Sequence, residues 1–104
     1  MTTNIQFLHM KNHEWMETFV QEKLAKLEKK YNWITQAKVY FKVEKAANTD
    51  QNICEIELHV PGPPVFAKAT ADTFESSVLK TIADLDKILK KRKAKMYNTG
   101  AKAS

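Results

Sequence analysis

Cysteine occurs once in this sequence, at Cys54, which excludes an intrachain disulfide and fits a reducing compartment. Cys54 alternates with core positions and reads as a small buried hydrophobe without the surroundings of a nucleophile. Glycine occurs only at Gly62 and Gly100, too few for a phosphate-cradling loop. The three histidines are His9, His13 and His59. His9 and His13 straddle an expected strand–helix boundary and share no helix face, so no metal site is expected. Asp84 and Asp86 lie two apart on a helix and cannot share a site. No apolar run approaches a membrane span, so no membrane partner is expected. The first residues have neither the basic nor the apolar region of a signal peptide, and the expected location is cytoplasmic. These absences argue for a binding protein that needs no cofactor, not an enzyme.

Positive charge, by contrast, is concentrated. The 104 residues carry 17 Lys+Arg against 12 Asp+Glu, a net charge of +5. Six of the basic residues, Lys87, Lys90, Lys91, Arg92, Lys93 and Lys95, fall in one span without an acidic residue. Removing those six leaves eleven against twelve, so the excess resides in that span. The same segment has apolar residues at Phe74, Val78, Ile82, Leu85 and Leu89, the spacing of a helix face turned to a core. At about 100° per residue, Lys80, Lys87, Lys90 and Lys91 point the other way. Like charges at this spacing destabilise a helix, so the run reads as a polyanion site more readily than as a solvated face.

The rest of the chain supplies a scaffold. Residues 4–10 read as a first strand. Asn12 is the expected N-cap of a helix over 13–30, with Glu14 and Glu17 near its positive end. Its apolar stripe is Met16, Val20, Leu24, Leu27 and Tyr31. Lys23, Lys26 and Lys30 run along one flank, Glu17 and Glu28 along the other. A second strand over 36–45 alternates Ala37, Val39, Phe41 and Val43 inward with Lys38, Tyr40, Lys42 and Glu44 outward. Residues 46–52 are polar and read as a hairpin loop. A third strand over 53–60 turns Cys54, Ile56, Leu58 and Val60 inward. Its outward Glu55, Glu57 and His59 are placed to pair with Lys38, Lys42 and Lys68. Residues 61–64 are a turn by composition. A fourth strand over 65–70 turns Val65, Ala67 and Ala69 inward. Asp72 or Thr73 caps the basic helix. Trp15, Tyr31, Trp33, Tyr40 and Phe66 are able to stack on bases, but single aromatics of this kind usually serve the core. Expected, then, is one α+β domain over 1–97, β-α-β-β-β-α, followed by a short disordered tail at 98–104. Two helices lie side by side on one face of a four-stranded sheet, the first strand–helix–strand unit being a right-handed crossover between parallel neighbours.

The pattern Phe19-Val20-x-x-Lys23-Leu24-x-Lys26-Leu27-Glu28-Lys29-x-Tyr31 is followed by Lys42-Val43-Glu44-Lys45 and Glu55-Ile56-x-Leu58-His59-Val60. Together with Leu85-x-x-x-Leu89-x-Lys91-x-Lys93-x-Lys95, it resembles the ribosome hibernation promoting factors, also called ribosomal subunit interface or sigma-factor modulation proteins. The resemblance covers nearly the whole chain. It implies a fold similar to a double-stranded RNA-binding domain. It also implies binding to small-subunit rRNA in the decoding channel, where the protein takes the place of mRNA and tRNA. Translation is then silenced in starvation or stationary phase. By position, the implied rRNA contacts are Lys23, Lys26 and Lys30 on the first helix. On the second they are Lys80, Lys87, Lys90, Lys91, Arg92, Lys93 and Lys95. The short branch of the family is implied, with a monomeric free protein. Ribosome dimers formed with other hibernation factors are a further assembly that the resemblance raises.

Three rivals stand beside this reading. A general double-stranded RNA-binding module lacks support from its usual glycine-containing loop and basic helix start. A small hydrolase such as an acylphosphatase needs an arginine in an N-terminal anion loop, and Arg92 is the only arginine. Direct modulation of a transcription sigma factor is the third.

Overall fold

A computed structural model describes residues 1–46 and 49–103, with side chains described at 1–45 and 51–96. The order is β1 (Thr2–Phe7), α1 (Glu14–Lys30), β2 (Gln36–Ala46), β3 (Thr49–His59), β4 (Val65–Ala71) and α2 (Phe74–Ala103). The four strands form one sheet in sequential order. β1 runs parallel to β2, from Thr2 opposite Gln36 to Phe7 opposite Phe41. The β2–β3 and β3–β4 pairs are antiparallel. This is the expected β-α-β-β-β-α architecture.

The alternation of β2 and β3 decides which face is buried. Ala37, Val39, Phe41, Cys54, Ile56 and Leu58 join one core with Met16, Val20, Leu24 and Leu27 of α1 and Val78, Leu85 and Leu89 of α2. Phe41 links three elements. Its ring stacks on Phe7 at 5.2 Å and meets Phe74 edge-on at 5.6 Å. The opposite face carries the expected ion pairs. Glu55 sits 3.4 Å from Lys42 and 3.6 Å from Lys68, and Glu57 sits 4.0 Å from Lys38 and 3.0 Å from His59. Ile53 belongs by register to that outer face, opposite Lys42 and Thr70, yet it is fully buried.

Several boundaries differ from the sequence reading. β1 ends at Phe7, not at residue 10, because His9 takes a positive φ of 56°, which an extended strand cannot contain. The N-cap of α1 is His13, not Asn12, and it makes no side-chain capping bond. Its carbonyl accepts from the Met16 and Glu17 N–H groups, and its ring lies edge-on to Phe7 at 6.3 Å. The polar stretch 46–52 is largely strand: pairing continues through Lys45 opposite Asp50 to Ala46 opposite Thr49. No Gly or Pro interrupts it, and the described residues in and beside it, Glu44, Lys45 and Gln51, are exposed, an overhang in which polar residues pair at little cost. Val43, expected inward, is 40% exposed because it lies in this overhang. Thr73 is the cap of α2, accepting from the Ser76 N–H at 3.1 Å. Helix α2 continues past Tyr97, where a disordered tail was expected over 98–104; the side chains from residue 97 onward lie outside the described residues.

Two polar residues, Ser77 and Thr81, are fully buried under α2. The Ser77 hydroxyl donates to the Phe74 carbonyl at 2.9 Å, and the Thr81 hydroxyl reaches the Ser77 carbonyl at 2.7 Å and the Cys54 carbonyl at 3.2 Å. Satisfied in this way, they cost little, and they let the helix approach β3 closely. Burial pushes the Cys54 thiol up to about 12, with the Thr81 hydrogen bond offsetting part of the rise.

Cys54 should therefore resist thiol reagents under native conditions. Labelling is expected to be slower by a factor on the order of 1,000 than in urea, because it requires opening of the core. Labelling within the mixing time by a protein with native circular dichroism would contradict this packing. The raised thiol also sets a pH dependence. Above the ordinary value of 9.0 the unfolded chain releases a proton that the native state keeps up to about 12. Stability from this group is thus complete below that range and falls as pH rises through it. Leu85→Ala, at a fully buried site, should cost about 2–5 kcal/mol in urea titrations.

Candidate nucleic-acid interface

The two helices share one side of the sheet, and their basic residues meet at one end of that layer. Lys30 closes the last turn of α1. Its ammonium lies 2.7 Å from the Asp86 carboxylate of α2. Tyr31, the C-cap of α1, donates its hydroxyl to the same carboxylate at 2.6 Å. Asp86 thereby fixes the distance between the helices. Its carboxyl is held below its ordinary value, first by the Lys30 hydrogen bond and then by that of Tyr31. The Tyr31 hydroxyl is pushed up to about 12 by burial and by the neighbouring Asp86 carboxylate.

A groove of about 480 Å³ opens over this tie, lined by Lys30, Tyr31, Asp86, Lys90 and Lys93. The ammonium groups of Lys30 and Lys93 each lie 5.8 Å from the centre of the Tyr31 ring. Cations from both helices therefore surround one aromatic floor. On the other flank of α2 a smaller groove of about 220 Å³ is lined by Ile88, Lys91, Arg92 and Lys95. Exposed Lys80 and Lys87 fall between the flanks, on the ridge turned away from the core, with Lys91 where that ridge borders the smaller groove. Helix α2 is basic on three sides at this end.

The candidate residues are not equivalent. Lys30, Lys90 and Lys93 converge. Lys90 faces the α1 flank and does not point straight away from the core. Lys87, Lys91 and Lys95 are exposed. Arg92 is half-buried, and its Nη1 donates to the Pro61 carbonyl at 3.4 Å and to that of Pro63. It holds the β3–β4 turn, where Gly62 adopts a φ of +88° that disfavours any side chain. Lys80 lies near the start of α2, distant in sequence from the cluster. Lys23 and Lys26 line neither basic groove, and the Lys23 ammonium rests 5.1 Å above the Phe19 ring. Sequence reasoning missed Asp86 and the hydroxyl of Tyr31. The available signal was an acidic residue one turn before Lys90, at the start of the basic run of α2.

Among the described residues no group of three or more His, Cys, Asp or Glu is placed to hold a metal. No described helix is long and apolar enough to cross a membrane. What the site offers is an array of lysines on a rigid two-helix frame, suited to phosphates at fixed spacing.

A tyrosine titration tests this frame. Asp86→Asn should lower the Tyr31 ionisation from about 12 towards its ordinary 10.0, observed by ultraviolet absorbance. Because the carboxylate is partly solvated, the stability cost should be only about 1 kcal/mol. In the parent protein that contribution is present above the ordinary carboxyl range and is lost as pH falls through the lowered Asp86 value. An unchanged tyrosine titration would contradict the coupling.

Comparison with known proteins agrees with this architecture. The family model described as sigma 54 modulation protein / S30EA ribosomal protein matches residues 3–97. The chain is similar to the ribosome hibernation promoting factor of Pseudomonas putida, with 34% identity over 98 residues, covering 94% of this chain and 92% of that protein. Among solved structures, a ribosomal subunit interface protein from Coxiella burnetii has a TM-score of 0.81 at 19% identity, covering 90% of this chain and 99% of its own. The N-terminal domain of Thermus thermophilus Protein Y has a TM-score of 0.75 at 18% identity, covering 88% and 98%. At these identities the two structures establish the shared fold.

Proposed function

This chain belongs to the sigma 54 modulation protein / S30EA ribosomal protein family, and we propose that it is a hibernation factor acting on the decoding channel of the small ribosomal subunit. It binds rRNA there through the basic end of its helical layer. It blocks the mRNA and tRNA sites, and it silences translation in starvation or stationary phase.

The observation that carries this reading is the convergence of Lys30, Lys90 and Lys93 on one groove drawn from two helices, beside the ridge of Lys87 and Lys91. Folded rRNA concentrates phosphate, and lysines that neutralise it release counterions. A-form RNA is recognised mainly through backbone, shape and 2′-OH groups. A rigid array of cations without base-reading side chains suits a target of fixed shape. The outer sheet face is a poor rival surface, because Glu55 and Glu57 already engage its lysines and histidine.

Two measurements test the proposal. Binding to purified small subunits should weaken with salt at a log–log slope of roughly −4 to −7, as five to eight neutralised phosphates would give. A slope near zero would show that charge does not drive binding. In sedimentation, the triple change Lys87→Glu, Lys90→Glu, Lys91→Glu should remove the protein from the ribosomal fractions and relieve inhibition of translation. Glu55→Lys with Glu57→Lys should leave binding intact. Folded helix variants that still block tRNA entry at wild-type concentrations would overturn the assignment.

A further inference from the structure

The end of the helical layer remote from the basic cluster has the opposite character. There the first turns of α1 and α2 meet around a groove of about 600 Å³, lined by Glu14, Trp15, Thr18, Phe19, Glu22 and Glu75. Trp15 is 51% exposed, although an indole is costly to leave in water. Among the described residues no ion pair engages Glu14, Glu22 or Glu75. Glu14 and Glu75 lie in first helical turns, where carboxylates complement the helix dipole. Glu22 lies in the middle of α1, and the dipole gives no reason for it.

We propose that this groove is a docking site for an extended basic segment of another protein, rich in Arg or Lys with interspersed apolar residues. Charge complementarity selects the occupant. Three carboxylates and an exposed indole line the same groove, so successive basic side chains of such a segment can meet the ring face and the carboxylates along it. The Thr18 methyl offers apolar contact to the neighbouring residue of such a segment, beside the Phe19 ring that the Lys23 ammonium already covers at 5.1 Å. Nucleic acid and anionic lipid are disfavoured, since both would bring phosphate against the carboxylates. The inference extends the ribosomal reading. A domain that meets rRNA with its basic end must turn its acidic end away from phosphate, and a basic protein segment is the complementary neighbour.

The test is a titration of the free, isotope-labelled protein with an acetylated nonapeptide of three Arg-Arg-Leu repeats, followed by amide and indole chemical shifts at about 50 mM salt. The proposal expects saturable shifts at Trp15, Phe19, Glu22 and Glu75, and none with a peptide of three Glu-Glu-Leu repeats. Glu22→Lys with Glu75→Lys should weaken the basic peptide by about tenfold or more, and Trp15→Ala should do the same while Trp15→Phe retains most of the affinity. The same spectra show whether each variant is folded. Shifts confined to the Glu55 and Glu57 face would overturn the proposal, as would equal binding by the reversed variant. Concentration-dependent shifts of the protein alone, linking this groove to the basic end of a second copy, would also overturn it. No RNA is present, so failure here leaves the rRNA assignment intact. Loss of ribosome binding by the Lys87, Lys90 and Lys91 reversals conversely leaves this groove unaffected.

Discussion

Apart from Ile53, the sheet buries the side chains of only one face, and the rest of the structure follows from that constraint. β2 and β3 alternate strictly along the paired stretch from Ala37 to Phe41 and from Cys54 to Leu58. Both helices must therefore cover the same side. The parallel pairing of β1 with β2 places α1 over one half of the sheet, and α2 is left to cover the other, beside β3 and β4. Once adjacent, the helices bring their lysines to a shared border. Lys30 of α1 meets Lys90 and Lys93 of α2 in one groove, and the proposed binding of rRNA rests on the field these cations share.

Such a field requires fixed spacing, and Asp86 supplies it. A carboxylate within a cationic site at first sight weakens the site. Here it accepts from Tyr31 and Lys30, so that one negative charge sets the register of the helices and orders the lysine nearest the seam. Arg92 plays a similar part on the other flank by donating to the carbonyls of the Pro61–Pro63 turn. Two charges are thus spent on geometry, and Lys87, Lys91 and Lys95 remain exposed. The acidic Trp15 groove at the far end gives the domain a marked polarity along its helices.

Much of this was legible in the sequence. The period-two alternation of β2 and β3 and the apolar spacing of both helices predicted the element order, the buried face and the cross-strand ion pairs. What escaped were features set by tertiary contact. The end of β1 depends on the backbone of His9, a residue type without a strong turn signal. The polar composition of 46–52 suggested a loop, yet the β2–β3 ladder continues through Lys45 opposite Asp50 to Ala46 opposite Thr49. Ser77 and Thr81 lie outside the apolar stripe read for α2, and their burial against β3 depends on hydrogen bonds to the Phe74, Ser77 and Cys54 carbonyls. Within the site, the lysine run was visible from its lack of compensating acids. The partnership of Lys30, Tyr31 and Asp86 was not, because its members lie more than fifty residues apart.

The central claim is that the basic end of the helical layer faces small-subunit rRNA. Directed hydroxyl-radical probing tests it most directly. Because Cys54 is buried, an iron chelate can be tethered selectively to a cysteine introduced by Lys91→Cys or, on the sheet face, by Glu57→Cys. In complexes with small subunits, the account predicts strand scission of rRNA at the decoding channel from position 91 and little or none from position 57. Strong scission from position 57 with none from position 91 would contradict it.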